Sequence, residues 1–415
     1  MKAGNNKKRI GIFGFGCVAQ GLYDIIQANP QYSLEVASIC VKSRNKTRSL
    51  PETRFSYDPQ QLLQDTTIDI FAELISDADE ALAIVRQALK AGKTVVSANK
   101  KMVAENLPEL VQLQQEFGGV LLYEAAVCGS IPVVRLLESY FAAEPLQEVR
   151  GVLNGSSNYI LSKLHTEGIS YPEALAEAQA LGFAEADPIL DVQGYDALNK
   201  LCIMAAHGFG QVVPPQKVLH FGIQHIQPED IALAQAVGAR IKLVASARHS
   251  ASQMLSLQVL PTFVLPDDDL FVVDEEFNGV QLHGAYAGKQ FFKGRGAGSH
   301  PTGSAVWADV AAALAGFRYS YAREARAAVD RQASLLQLYV RASDARLLAR
   351  VPLQEVQSLS EGHRDVQLVG TISGAELFAH QERLEQAGAF VALLPAGLSH
   401  ESLLAASAKR YQYFV

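Results

Sequence analysis

Between Arg9 and about Glu124 the chain alternates short, β-branched apolar runs (RIGIFGF, LEVASICV, IDIFAELI, TVVSA, VLLYEAA) with stretches of helical periodicity. Strands separated by helices of ~10–15 residues cannot pair as hairpins; they build βαβ units, whose sheet is parallel and covered on both faces. The pattern predicts a doubly wound nucleotide-binding domain over residues 1–132. At ~100–200 residues per domain, a chain of 415 residues has room for further cores beyond it.

After IPVVRLLESYF the order changes. VRGVLNG, two helices up to Gly182, a carboxylate-rich loop, a helix from Tyr195 and strand-like runs at 240–247, 254–260 and 279–293 predict an α+β layer, a candidate substrate domain, over 133–302. A helix over about 303–325 is expected to return and complete the first domain, and residues 333–415 read as a small βαβαβ module.

The net charge of −7 supplies no positive field for nucleic acid or an anionic membrane surface, which points to small-molecule chemistry. No uncharged apolar run reaches the ~18 residues a membrane span needs, and no apolar leader precedes the first strand, so a cytoplasmic protein is expected. Cys17, Cys40, Cys128 and Cys202 are scattered without metal-ligand spacing, which fits free thiols in a reducing compartment.

The first strand runs into GFGCVAQG, where Gly14, Gly16 and Ala19 satisfy GxGxxG/A with Cys17 and Val18 between them. In such a turn the first glycine allows the tight bend and the second lets the backbone approach a pyrophosphate. The small third residue lets helix pack on strand, and the helix N-terminus offers aligned N–H groups to phosphate. The motif, placed between strand and helix, predicts a Rossmann-type dinucleotide site. At the end of the second strand, where an NAD-selective fold offers an acid to the ribose, stand Lys42, Ser43 and Arg44. Cations there suit a 2′-phosphate and predict NADP(H), with NAD(H) as the alternative; the other reading of these charges is a solvated loop. Ser97, Lys100 and Lys101 lie at the C-terminal end of a further parallel strand, where ligands of open α/β sheets bind; a surface lysine pair opening a helix is the alternative. Gly303 belongs to a second glycine-dense turn, GRGAGSHPTGSAV, whose N–H groups are candidates to close on the cofactor.

Glu185, Asp187, Asp191 and Asp196 fall within twelve positions of a Gly- and Pro-punctuated loop leading into an apolar helix. Crowded carboxylates repel one another unless cations compensate, so the loop is suited to hold something positive, such as a substrate amino group. Asp196 and Lys200 are four apart, on one helix face. That spacing is a common stabilising ion pair, and in a hydride-transfer enzyme it is also a proton donor held by its acid. Cys128, near a helix N-terminus, admits two readings: an acylating nucleophile or a buried inert thiol, with no histidine close in sequence to serve as its base.

These blocks, in this order, resemble homoserine dehydrogenase. The run Ala178-x3-Gly182 through Asp187, Pro188, Asp191, Gly194 and Asp196 to Lys200 agrees with that family's signature at each fixed position, and GFGCVAQG, SANKKMVAEN, YEAAVCGSIPVV, GVLNGSSNYIL and GRGAGSHPTGSAVWADV look like its other blocks, over roughly residues 9–325. The resemblance implies NAD(P)-dependent interconversion of L-aspartate 4-semialdehyde and L-homoserine on the route to threonine, methionine and isoleucine. It implies Lys200 as proton donor, with Lys100 assisting. Glu185, Asp191 and Asp196 would hold the amino-acid part, near Gly155 and Ser156. It further implies a sodium-type monovalent cation at the turn of Glu124, Val127, Gly129 and Ile131, largely through main-chain oxygens, and a homodimer or dimer of dimers. Ser156 and Ser157 stand where the family carries threonines. The C-terminal module occupies the position of the family's regulatory ACT domain but reads one strand short of βαββαβ. With the dinucleotide motif beginning within the first sixteen residues, a monofunctional member is expected.

Overall fold

The computed structural model describes residues 7–249, 254–321, 323, 335–359, 365–398 and 400–411. They fall into two compact units: one holds residues up to Ala142 with Cys202–Val212 and Gly294–Arg323, the other holds Ala143–Leu201, Val213–Lys293 and the C-terminal residues.

In the first unit, β1 (Lys8–Phe13), β2 (Leu34–Cys40), β3 (Phe55–Ser56), β4 (Ile70–Glu73), β5 (Thr94–Ser97) and β6 (Val120–Leu122) pair in parallel in the order β3-β2-β1-β4-β5-β6. Ile10, Ile12, Phe71, Val95, Val96, Leu121 and Leu122 are sealed from solvent, as a parallel sheet covered on both faces requires. The strand order reverses between β1 and β4, and the glycine turn follows β1 at that switch point, where such sheets bind ligands. The helix Ser299–Leu314 packs on the helix Cys17–Ala28 that follows the turn. The approach demands glycine: a Cβ on Gly21 would stand 2.2 Å from the Ser299 carbonyl oxygen, and one on Gly303 2.8 Å from the Leu22 nitrogen. The helix expected over 303–325 thus starts at Ser299 and stops after Leu314, where Gly316 turns left-handed at φ +83°. Residues 322, 324 and 325 of that expectation lie outside the described ones.

The second unit is built on a mixed sheet of β7 (Leu146–Val152), β8 (Leu219–His220), β9 (Arg240–His249), β10 (Leu255–Val264), β11 (Phe277–Gly284), β12 (Gly288–Arg295), β13 (Leu335–Ala342), β14 (Gln354–Ser358), β15 (Val366–Ser373) and β16 (Phe390–Leu393). Their order is β12-β11-β7-β9-β10-β16-β13-β15-β14, with β8 beside β10. The C-terminal strands join through one parallel pairing, Thr262 with Leu393. They share a core with the rest of the unit, in which Leu219, Phe221 and Leu260 meet Leu336, Leu338 and Val391.

One expectation is corrected here. The C-terminal module is not βαβαβ: β14 adds the missing strand, and the order becomes βαββαβ with a further helix, His400–Tyr411. All five residues of β14 (QEVQS) are exposed, on the outer edge of the sheet. A strand that buries nothing shows no apolar alternation, which is why periodicity overlooks it.

Candidate active site

The glycine turn of the first unit has the shape its motif predicts. Gly14 is left-handed at φ +92°, and a Cβ there would stand 2.6 Å from the Leu74 carbonyl oxygen, so both conformation and space require glycine. A Cβ on Gly16 would meet nothing within 4 Å, which leaves an open approach to the backbone. Gly16 is also the N-cap of the helix Cys17–Ala28 and supplies no side-chain cap, so the N–H groups around Cys17 and Val18 face no competing side chain from that position. Ala19 is fully buried. Gly303, expected at the cofactor, also has a packing task, since its missing side chain makes room for the backbone of Gly21 and Leu22. Lys42 pairs with Glu80, and the Arg44 guanidinium lies over the Tyr57 ring at 4.3 Å.

Around β4 and β5 the strand ends are tied together. The buried Ser97 hydroxyl donates to Glu73 Oε2 at 2.6 Å and accepts from the Asn99 N–H at 3.0 Å. Asn99 caps the next helix by accepting from the Met102 N–H at 3.0 Å, and Lys100 opens that helix, half-buried. Ser97 therefore turns its hydroxyl inward. Glu73 went unnoticed in the sequence because an acid at the end of an apolar strand reads as its solvated terminus, whereas here it is sealed from solvent.

In the second unit the acid cluster divides. Lys200 Nζ donates to the Leu153 carbonyl at 2.7 Å and pairs with Asp196 Oδ2 at 2.8 Å, with both side chains buried. One carboxamide bridges two acids: Asn154 Nδ2 donates to Asp191 Oδ1 at 2.7 Å and to Asp196 Oδ2 at 2.9 Å. Asn154 Oδ1 meanwhile accepts from the Ser157 N–H at 2.7 Å and caps the helix Gly155–Glu167. Gly155 is required by contact, because a Cβ would stand 2.7 Å from the Glu276 carbonyl oxygen. Ser156 donates its hydroxyl to the Phe183 carbonyl at 2.5 Å, fastening the start of the acidic loop to this helix. Glu185 and Asp187 are exposed on the loop. Sequence reasoning missed Asn154, whose only signal is its N-cap position ahead of Gly155 and Ser156.

An ammonium has three N–H donors. With two engaged by Leu153 and Asp196, Lys200 keeps one to offer a substrate oxygen, and its acid neighbour holds its charge in a dry setting where an unpaired ammonium would be costly.

The turn expected to hold a cation lies in the first unit. Glu124 is buried, and its carboxylate accepts from the Val134 N–H at 3.0 Å and the Arg135 N–H at 2.7 Å. Burial, with Asp309 beside it, pushes the Glu124 carboxyl up to about 8. Cys128 and Gly129 are consecutively left-handed, at φ +56° and +51°, and a Cβ on Gly129 would stand 2.7 Å from the Arg295 carbonyl oxygen. No group of three or more His, Cys, Asp or Glu side chains suited to a metal occurs among the described residues. The cation that the resemblance implies would rest on Glu124 and on main-chain oxygens of Val127, Gly129 and Ile131, a hard-oxygen set. Cys128 is fully buried, so the acylating reading, which needs a thiol in reach of substrate, loses its support. No helix among the described residues is long and apolar enough to cross a membrane.

Two family models match the chain: homoserine dehydrogenase, NAD binding domain, over residues 14–124, and homoserine dehydrogenase, over residues 132–311. The homoserine dehydrogenase of Synechocystis sp. is 39% identical over 313 residues, which cover 73% of this chain and 72% of the relative. A solved homoserine dehydrogenase from Thiobacillus denitrificans superposes with a TM-score of 0.80 at 28% identity, covering 94% of this chain and 98% of that one. A hyperthermophilic archaeal homoserine dehydrogenase in complex with NADPH superposes with a TM-score of 0.65 at 26% identity, covering 75% and 99%.

Proposed function

Because the chain belongs to the homoserine dehydrogenase family, we propose that the two sets of residues described above divide that family's reaction between them. The protein is an NAD(P)-dependent oxidoreductase that interconverts L-aspartate 4-semialdehyde and L-homoserine, a small-molecule step of amino-acid biosynthesis. The reduced nicotinamide, when bound, supplies the hydride that adds to the aldehyde carbon. Lys200 gives a proton to the carbonyl oxygen as it becomes an alcohol, and takes it back in the oxidative direction. Asp196 holds the ammonium in place and stabilises its charge.

Asp191, Asp196 and Glu185 receive the substrate α-ammonium, with Gly155 and Ser156 at the helix N-terminus beside them. Lys100 assists at the substrate and nicotinamide, and Ser97 and Gly303 flank the cofactor through their main chain. Gly14, Gly16, Cys17, Val18 and Ala19 take the pyrophosphate. Lys42 and Arg44 favour NADP(H) over NAD(H), a reading supported by the Arg44 guanidinium held over the Tyr57 ring and by the NADPH bound in the archaeal relative. A sodium-type cation sits at Glu124, Val127, Gly129 and Ile131. We further read residues 1–132 as the cofactor domain, 133–302 as the catalytic and dimerisation domain, and the C-terminal βαββαβ as an ACT-like regulatory module, in a cytoplasmic homodimer or dimer of dimers.

The observation that carries this reading is the buried Lys200, paired with Asp196 and pinned by the Leu153 carbonyl. The test is Lys200→Ala, assayed by nicotinamide absorbance with homoserine and NADP: kcat is expected to fall ~10²–10⁴-fold. Near-parental turnover with substrate binding intact contradicts the assignment.

A further inference from the structure

We propose that Glu73 is a positioning residue for cofactor binding: its carboxylate holds the ends of β4 and β5 together behind the glycine turn, through Ile75 and Ser97. The inference rests on the glycine turn and Lys100 serving the cofactor, as read above.

Glu73 ends β4 and lies beside Phe13, the last residue of β1. Its two oxygens are divided between two strand ends: Oε1 accepts from the Ile75 N–H at 2.9 Å, and Oε2 from the Ser97 hydroxyl at 2.6 Å. The ring then closes through Asn99. Its N–H donates to Ser97 Oγ at 3.0 Å, and its side-chain nitrogen donates to the Ile75 carbonyl at 3.2 Å.

Two of the tethered residues adjoin the proposed cofactor elements: Ile75 lies against the glycine turn, and Asn99 caps the helix that Lys100 opens. A Cβ on Gly14 would stand 2.6 Å from the Leu74 carbonyl oxygen and 3.0 Å from Ile75 Cγ2, so residues 74 and 75 form the wall against which the glycine turn is folded. Asn99 precedes Lys100 and caps its helix, so the same ring sets where Lys100 starts.

Nothing in simple packing calls for an acid there. Glu73 is sealed from solvent and its bonding partners are neutral, and burial pushes its carboxyl up to about 7. A carboxylate kept in a dry sheet without a cation is costly, and leucine would fill the space more cheaply. What leucine cannot do is accept from a backbone N–H and a hydroxyl on two different strands at once. The carboxyl is retained at the switch point, where two strand ends must keep a fixed spacing around a bound dinucleotide. Glu73 acts through Ile75 and Ser97, and it contacts neither substrate nor reacting atoms.

The experiment titrates full-length parent, Glu73→Gln, Ser97→Ala and the double variant with NADPH by nicotinamide fluorescence, with kcat and both KM values measured alongside. Glutamine can accept from Ile75 but must offer an N–H towards Ser97, which strands the serine proton; Ser97→Ala removes that proton and tests the same link with a single-atom deletion should Glu73→Gln fold poorly. Each single variant is expected to bind NADPH about 10-fold more weakly, as loss of one charge-assisted hydrogen bond should. The double variant is expected to be no weaker than Glu73→Gln alone, and KM for homoserine to stay parental. Unchanged NADPH affinity in Ser97→Ala, or a double variant whose loss equals the product of the singles, overturns the proposal whatever happens to the melting temperature. A parent that binds no NADPH overturns the functional reading itself, and that outcome is seen before any variant is compared.

Discussion

The glycine turn of the first unit and the acid–lysine cluster of the second meet opposite demands. The turn recognises by omission. Gly14 and Gly16 have no side chains: at the first the Leu74 carbonyl leaves no room, and at the second the space before the backbone is open. The cluster recognises by crowding. Asn154 bonds both Asp191 and Asp196, Asp196 pairs with Lys200, and the lysine is shielded from water. On the proposed reading an anionic cofactor would be met by backbone amides that cost little to present. A proton donor needs a charge held dry, and it must have a partner at all times. The two regions should therefore fail differently when damaged.

The largest effect is expected at the cluster. Asp196→Ala leaves the Lys200 ammonium buried without its acid, which should cost about 3–5 kcal/mol of stability and lower kcat as well. Thermal unfolding and turnover of the same sample check this, and a variant as stable as its parent would show that the cluster is wetter than the structure describes.

A carboxyl buried in the first unit sharpens the contrast. The Glu73 carboxyl is raised to about 7 from 4.5, so the folded state binds its proton more tightly than the unfolded chain. The sign follows: stability is fully present below the unfolded pKa and is lost as pH rises through the folded one, by about 3 kcal/mol at most. Stability measured between pH ~5 and ~8 should fall less steeply in Glu73→Gln than in the parent; identical slopes would mean the carboxyl is not perturbed.

Smaller still is the expected effect of Gly21→Ala. Its new methyl would stand 2.2 Å from a backbone carbonyl that cannot swing away, so the helix Ser299–Leu314 must shift, at about 1–3 kcal/mol. The loss should appear as weaker NADPH binding with kcat at saturating cofactor near parental. A fall in kcat with unchanged cofactor affinity would break the division between the two regions.

Legibility followed the same line. The turn could be read from the chain because glycines at fixed spacing between a strand and a helix are a local signal. Asp196 and Lys200 were legible for a similar reason, four residues apart on one helix. Asn154 was not, because its value lies in reaching Asp191 and Asp196, 37 and 42 positions away. Glu73 likewise depends on Ser97 across a neighbouring strand. In the acidic loop, sequence proximity suggested one pocket of four acids, yet only Asp191 and Asp196 share a partner in Asn154, while Glu185 and Asp187 are exposed. The edge strand β14 escaped notice because it buries nothing, and the return of Cys202–Val212 to the first unit has no compositional mark at all.

The most direct test is a single turnover: NADPH is pre-bound to parent and to Lys200→Ala, semialdehyde is mixed in, and nicotinamide oxidation is followed with NADPH affinity measured on the same samples. With Lys200 as the proton donor, the variant should hold NADPH as tightly as the parent and transfer hydride at least ~10²-fold more slowly. Hydride transfer at the parental rate would contradict the account.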